Sequence, residues 1–261
     1  MQHSIVIPVH NEAQHLEAHM SAFLDSVPPE LAGMLHEVIL VENGSTDGTR
    51  DACARLKERY SKLIRVCVLS RGSYGEAVKT GMLESTGTHL SILECDVLDW
   101  HFVSRSIVLF REGFAQFIVG SKRHKDAVDR RPFKRRAMTA LYNLIFLRLG
   151  LGYPGTDTHG LKSIETECAK HLCRAAVTTD EVFQTEIVLL AWRMGVHIEE
   201  VPIQIREMRS TPVSIRRRLP KVLGTVRQLR RSLHRFPESI SYVQTGRDGL
   251  PVIHDQIHPG R

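Results

Sequence analysis

Four times within residues 1–93 a short β-favouring apolar run gives way to a polar loop, and three of these loops lead into a stretch with helical spacing; this alternation most restricts the fold. Residues 4–9 (SIVIPV) end at His10-Asn11-Glu12 and precede Leu16, Met20, Phe23 and Leu24 at helical spacing. Residues 37–41 (EVILV) are followed by Glu42 to Thr49 (ENGSTDGT), where Ser45 or Thr46 can cap the next helix. Residues 64–69 lead through Arg71-Gly72-Ser73-Tyr74-Gly75 into a third helix, and residues 88–93 form the fourth run. Such alternation predicts an α/β fold with a doubly wound, mostly parallel, Rossmann-like sheet whose loops collect on one edge.

The fourth run, THLSILECDVLD over residues 88–99, carries two acids to that edge. If the chain stays extended, Glu94 and Asp96 lie on one face and project beyond the strand, where open α/β sheets bind ligands. Two such carboxylates can hold Mg²⁺ or Mn²⁺ together with substrate phosphates, and the cation would neutralise a diphosphate. An acid-x-acid triplet is also an ordinary polar strand end, so the reading leans on the segments around it.

Downstream, residues 114–120 predict a strand ended by Ser121-Lys122-Arg123, and residues 137–151 an amphipathic helix carrying Met138, Leu141, Tyr142, Ile145 and Leu149. Residues 157–164 read as strand-like and residues 180–192 (DEVFQTEIVLLAW) as a helix. Residues 197–205 read as a late strand whose Pro202 argues for a sheet edge. The 261 residues carry a formal net charge of +6, with base concentrated in 122–136 and 206–235, which suits anionic partners. The basic segments lack interleaved aromatics, so nucleic acid is not the expected partner. Five cysteines without a CxxC pair suit reduced thiols in an intracellular compartment, and no signal peptide is expected at residues 1–9. No apolar run approaches the roughly 20 residues of a membrane span. The fourteen histidines show no zinc-ligand spacing.

Taken in order, SIVIPVHNE, EVILVENGSTDGT, RGSYGEAVKTGMLESTG and the acid pair resemble the family 2 glycosyltransferases of GT-A fold, with polyprenyl-phosphate (dolichol-phosphate) mannosyltransferases the nearest likeness. The resemblance runs from about residue 4 to 216. It implies an inverting, metal-dependent hexosyltransferase that moves a sugar, mannose from GDP-mannose by this likeness, to a polyprenyl phosphate. It places Pro8, Val9, Asn11, Glu12, Glu42, Asn43, Arg71, Gly72 and Lys79 at the nucleotide, and Glu94 and Asp96 at Mg²⁺ or Mn²⁺. Lys122, Arg135, Thr139, Arg209 and Ser214 fall on the acceptor side, with Asp96, Arg135 and Arg209 as the catalytic set. Asp157-Thr158-His159-Gly160-Leu161 resembles the family's Asp-x-x-Gly-Phe loop, and Glu200-Val201-Pro202 its Glu-Val-Pro strand.

This chain departs from the pattern at several places. Glu42-Asn43 stand where two aspartates are usual, Glu94 replaces the first metal aspartate, and Leu98 and Ile215 stand where Gln and Lys are expected. Glu94→Asp, which restores the usual pair, is therefore expected to be tolerated. Glu186, on an apolar helix, is either a functional acid or a paired structural carboxylate.

Residues 1–215 are expected to form the glycosyltransferase domain and 216–261 a basic amphipathic helix with a loose tail. In residues 219–236 the apolar positions Leu219, Val222, Leu223, Val226, Leu229 and Leu233 recur at helical spacing among arginines, which suits either an interfacial helix or packing on the domain. The expected location is the cytoplasmic face of a membrane, peripherally bound, with a membrane-anchored partner protein as one means of attachment. Two alternatives stand beside this reading: a transferase using a UDP-sugar and a soluble hydroxyl acceptor, with Asp157, Asp180 or Glu181 as base, and an inactive nucleotide-sugar-binding or scaffold module.

Overall fold

The computed structural model describes residues 1–130, 133–205, 224, 228–233, 244–245 and 251–252. Strands β1 (His3–Val9), β2 (Leu35–Asn43), β3 (Ile64–Leu69), β4 (His89–Ile92), β5 (Phe117–Ser121), β7 (Lys162–Glu165) and β8 (Ile198–Pro202) make one seven-stranded sheet in the order β3-β2-β1-β4-β7-β5-β8. Helices α1 (Leu16–Asp25), α2 (Pro29–Ala32), α3 (Thr49–Arg59), α4 (Tyr74–Glu84), α5 (Trp100–Arg111), α6 (Phe133–Tyr142), α7 (Thr166–Ala175) and α8 (Phe183–Arg193) connect or follow them. A π-helix, Asn143–Gly150, extends α6, and β6 (Val128–Asp129) pairs with β9 (Gln204–Ile205). In the tail β10 (Gln244–Thr245) pairs with β11 (Pro251–Val252).

Alternation along the strands explains why both faces are covered. Val6, Ile39 and Val41 enter one apolar layer with α4, α7 and α8, while Ile5, Ile7, Val38 and Leu40 enter the other with α1, α3 and α5. Parallel pairing joins β3, β2, β1 and β4, and β5 with β8. The expected mostly parallel sheet is therefore present, with one exception: β7 runs antiparallel between β4 and β5. Pro202 does sit in an edge strand.

Several expected boundaries move. Residues 157–161 are loop and only 162–165 are strand; β5 begins at Phe117 and α8 at Phe183. Gly48, not Ser45 or Thr46, occupies the cap position of α3, and Asp47 accepts from the Thr49 N–H (2.9 Å). The helix expected over residues 137–151 starts at Phe133 and loosens to π geometry after Tyr142. Of the segment 219–236, residues 224 and 228–233 are described: Leu229 and Leu233 are buried in the main core, so these two positions of the apolar stripe pack on the domain, while Leu219, Val222, Leu223 and Val226 lie outside the described residues.

Candidate active site

The carboxyl ends of β1, β2, β3 and β4 lie along one edge of the sheet, and because β7 is reversed its amino end joins them. Gly44 has φ +61°, and a Cβ there would lie 2.6 Å from the Gly72 nitrogen, so the β2 and β3 loops touch only because this residue has no side chain. Asn43 completes the junction: its Oδ1 accepts from the Ser73 N–H (2.7 Å), and its carbonyl is 2.8 Å from His10 Nδ1. Asn11, with φ 54°, accepts the Thr46 N–H at 2.9 Å, while its own N–H donates to Ser45 Oγ. Glu12 donates its backbone N–H to Thr49 Oγ1. Pro8 and Val9 are buried at the end of β1, and Arg71 and Gly72 are exposed beside Asn43.

Two members of the expected nucleotide set are otherwise engaged. Glu42 is wholly buried, accepts the Ser45 N–H at 2.5 Å and is gripped by Arg50 at 3.3 Å, so its carboxylate shapes the loop from inside. Lys79 donates to the Ala176 carbonyl in the α7–α8 loop.

The acid pair differs from the expected geometry. The strand ends at Ile92, and the Val97 N–H closes a tight turn onto the Glu94 carbonyl at 2.8 Å. Glu94 and Asp96 therefore occupy a turn and are not alternate residues of one extended face. Asp96 is exposed at the turn, and Asp99 ends the segment by capping α5 through the His101 and Phe102 N–H groups. Glu94 is partly buried; Tyr74 OH and Gln184 Nε2 both donate to its Oε1, the latter at 3.2 Å. Burial raises the pKa of the Glu94 carboxyl, an effect that the Tyr74 hydrogen bond and the Lys162 charge oppose.

Among the described residues no three His, Cys, Asp or Glu side chains converge as a metal cage. A hard divalent cation does not need one, since one or two carboxylates with diphosphate oxygens suffice, and the Glu94–Asp96 turn suits that donor set.

Behind the turn lies a buried polar cluster, of which sequence reasoning named Lys122, Asp157 and Glu200 but missed Lys162 and Gln184. Lys162, the first residue of β7, is fully buried and donates to the Gly160 carbonyl (3.0 Å) and to Gln184 Oε1. Burial lowers its pKa to about 7 against the opposing pull of Asp157 and Glu94. Lys122 forms a 2.9 Å ion pair with buried Asp157, which also accepts the His159 N–H. Glu200 accepts the Thr156 N–H at 2.6 Å. A polar residue on an otherwise apolar stripe, Gln184 in α8 or Lys162 in a buried strand, was the available signal.

On the acceptor side, Arg123 is exposed and Thr139 half-buried on α6. Arg135 falls on α6 with its side chain outside the described residues, and Arg209 and Ser214 lie outside them altogether. Glu186 is structural: it accepts the Val177 and Thr178 N–H groups (3.1 and 2.8 Å) and the Thr178 and Ser232 hydroxyls.

The sequence profile of glycosyl transferase family 2 matches residues 4–162, more than half of the chain. The chain belongs to glycosyl transferase family 2. This family 2 chain is 26% identical over 242 residues to the dolichyl-phosphate beta-glucosyltransferase of Saccharomyces cerevisiae, covering 81% of the chain and 69% of that protein. It is 21% identical over 229 residues to a dolichyl-phosphate beta-glucosyltransferase of Trichomonas vaginalis, covering 81% and 68%. Among solved structures, the glucosyl-3-phosphoglycerate synthase of Mycobacterium tuberculosis with Mn²⁺, UDP and glucosyl-3-phosphoglycerate superposes with TM-score 0.59 at 20% identity, over 89% of this chain and 78% of that one. That likeness establishes the GT-A fold.

Proposed function

We propose that this family 2 enzyme transfers glucose, with inversion, from a nucleoside diphosphate donor to a polyprenyl phosphate. The observation that carries the reading is the meeting, on one sheet edge, of the Asn11–Asn43–Ser73 junction, the Glu94–Asp96 turn and the Lys122–Asp157 pair. The named relatives support a lipid-phosphate acceptor, and they transfer glucose, so glucose replaces the mannose expected from the motifs.

Asn43, Asn11 and the exposed backbone at Gly72 would hold the base and ribose. Asp96, with Glu94 beside it, would hold Mg²⁺ or Mn²⁺, which when bound neutralises the leaving diphosphate. A phosphate monoester, with a second pKa of about 6, is already an anionic nucleophile, so the residues need only orient two anions and exclude water. A hydroxyl acceptor would call for a base, and two of the three candidates are otherwise engaged. Asp157 is paired with Lys122, Asp180 accepts the Val182 N–H, and Glu181 is exposed.

We place residues 1–215 in the catalytic domain, with 216–261 an appended segment docked back on it through Leu229 and Leu233. No helix among the described residues is long and apolar enough to cross a membrane. We assign peripheral attachment at the cytoplasmic face to the exposed stripe Phe133, Ala137, Leu141 and Leu144, flanked by exposed Arg130, Arg136 and Arg148. This attachment is direct and needs no membrane-anchored partner.

The test is incubation with labelled UDP-glucose or GDP-mannose, Mn²⁺ and dolichyl phosphate, followed by organic-phase extraction. Label from UDP-glucose in the organic phase is expected. Label from GDP-mannose alone would return the sugar to mannose. Product confined to the aqueous phase favours a soluble acceptor, and no turnover of either donor favours an inactive binding module.

A further inference from the structure

We propose that Tyr74, Gln184 and Lys162 form a hydrogen-bonded chain of fixed polarity that positions Glu94 within the metal-binding turn. The inference rests on the reading that the Glu94–Asp96 turn holds a divalent cation. None of the three residues is a ligand; each acts through Glu94.

The polarity follows from which groups can only give or only take. Lys162 Nζ donates to the Gly160 carbonyl, an obligate acceptor, and to Gln184 Oε1. With its oxygen so occupied, the Gln184 amide must turn its NH₂ the other way, toward the Tyr74 hydroxyl oxygen and Glu94 Oε1. The phenol oxygen receives that N–H, which leaves its own proton to point at Glu94 Oε1. Two donors thus end on one carboxylate oxygen, and ligation of a cation falls to Oε2. Gln184 is 2% exposed and Lys162 fully buried, so water does not readily substitute for either.

The backbone keeps these elements in place. A Cβ on Gly75 would lie 2.4 Å from the Asp180 carbonyl oxygen, so α4 can press its first turn, bearing Tyr74, against the entry to α8, bearing Gln184, only with glycine there. The length of the acid also fits. Glu94 must reach Tyr74 and Gln184 with one oxygen while offering the other at the turn, and aspartate, one methylene shorter, would have to give up one of the two contacts.

The experiment measures UDP affinity of the full chain by calorimetry, with GDP in parallel, in Mn²⁺ and in chelator, together with direct Mn²⁺ binding by electron paramagnetic resonance. Tyr74→Phe and Gln184→Met are expected to weaken Mn²⁺ binding about tenfold, the usual effect of losing a partner behind a metal ligand. Affinity for UDP in chelator should stay within about twofold of the parent. In a Glu94→Gln background Tyr74→Phe should cost nothing further. Equal losses with and without Mn²⁺, additive losses in that background, or unchanged Mn²⁺ binding would each overturn the inference. If the parent chain itself shows no Mn²⁺ dependence, the metal reading falls and the inference with it. Metal dependence in the parent that the variants leave untouched removes the inference alone.

Discussion

At the scale of single residues, the two acids of the turn have different standing. Asp96 is exposed, whereas Glu94 is partly buried and held by two protein donors. Asp96→Asn should therefore abolish the Mn²⁺-dependent part of nucleotide binding while leaving the thermal unfolding midpoint within a few degrees, and calorimetry with a melting curve checks both. The motifs lead one to expect that Glu94→Asp is tolerated; the proposed hold of Tyr74 and Gln184 on Glu94 predicts instead that the shorter acid loses at least tenfold in turnover, measured as labelled sugar transferred per unit time. Glu186 belongs to stability. Its carboxylate satisfies four donors in a site without solvent access, so Glu186→Ala should lower unfolding free energy by about 2–4 kcal/mol in urea denaturation. The sequence showed Glu186 as an acid among apolar neighbours but could not distinguish a binding role from a tether, because its partners at Val177, Thr178 and Ser232 come from other segments.

At the scale of elements, strands and helices of the first half were legible because buried parallel strands are continuous apolar runs and each is followed by turn chemistry. Legibility failed where direction and register depend on distant pairing. Nothing within residues 157–165 announces that β7 runs antiparallel, since that is decided by contacts with β4 and β5. The same limit hid the turn at 94–97, where a single backbone hydrogen bond replaces the extended geometry that LECDV suggests. The α6 stripe is the element whose role is most open to measurement. Phe133 is 79% exposed and Leu141 56%, large apolar side chains that the described residues leave uncovered. Replacing Phe133 and Leu141 together by Glu should at least halve co-sedimentation with anionic vesicles at low salt and leave UDP binding unchanged. Retained sedimentation would move the membrane contact elsewhere.

At the scale of the whole molecule, acid sensitivity is built into the sheet. His3 is 1% exposed in β1, and burial, with the neighbouring His89 charge, lowers its pKa to about 3. The unfolded chain protonates near the ordinary value of 6.5, so it takes up the proton first as pH falls. Stability present above pH 6.5 is then lost progressively toward pH 3. His3→Gln should flatten the dependence of urea midpoint on pH between 6.5 and 4, and an unchanged slope would assign the effect to other groups. The reversed strand has a second consequence, in the order of assembly. β4 is central in the finished sheet, yet one of its edges is filled by β7, which leaves the ribosome only after α5, β5 and α6. During synthesis the sheet β3-β2-β1-β4 can close while Leu90 and Ile92 still present an unpaired edge of N–H and C=O groups. The nascent chain thus carries, for the time needed to make residues 93–165, an open template beside its most apolar strands, and the interval in which it is most prone to pair with another copy ends when Ser163 and Ile164 arrive.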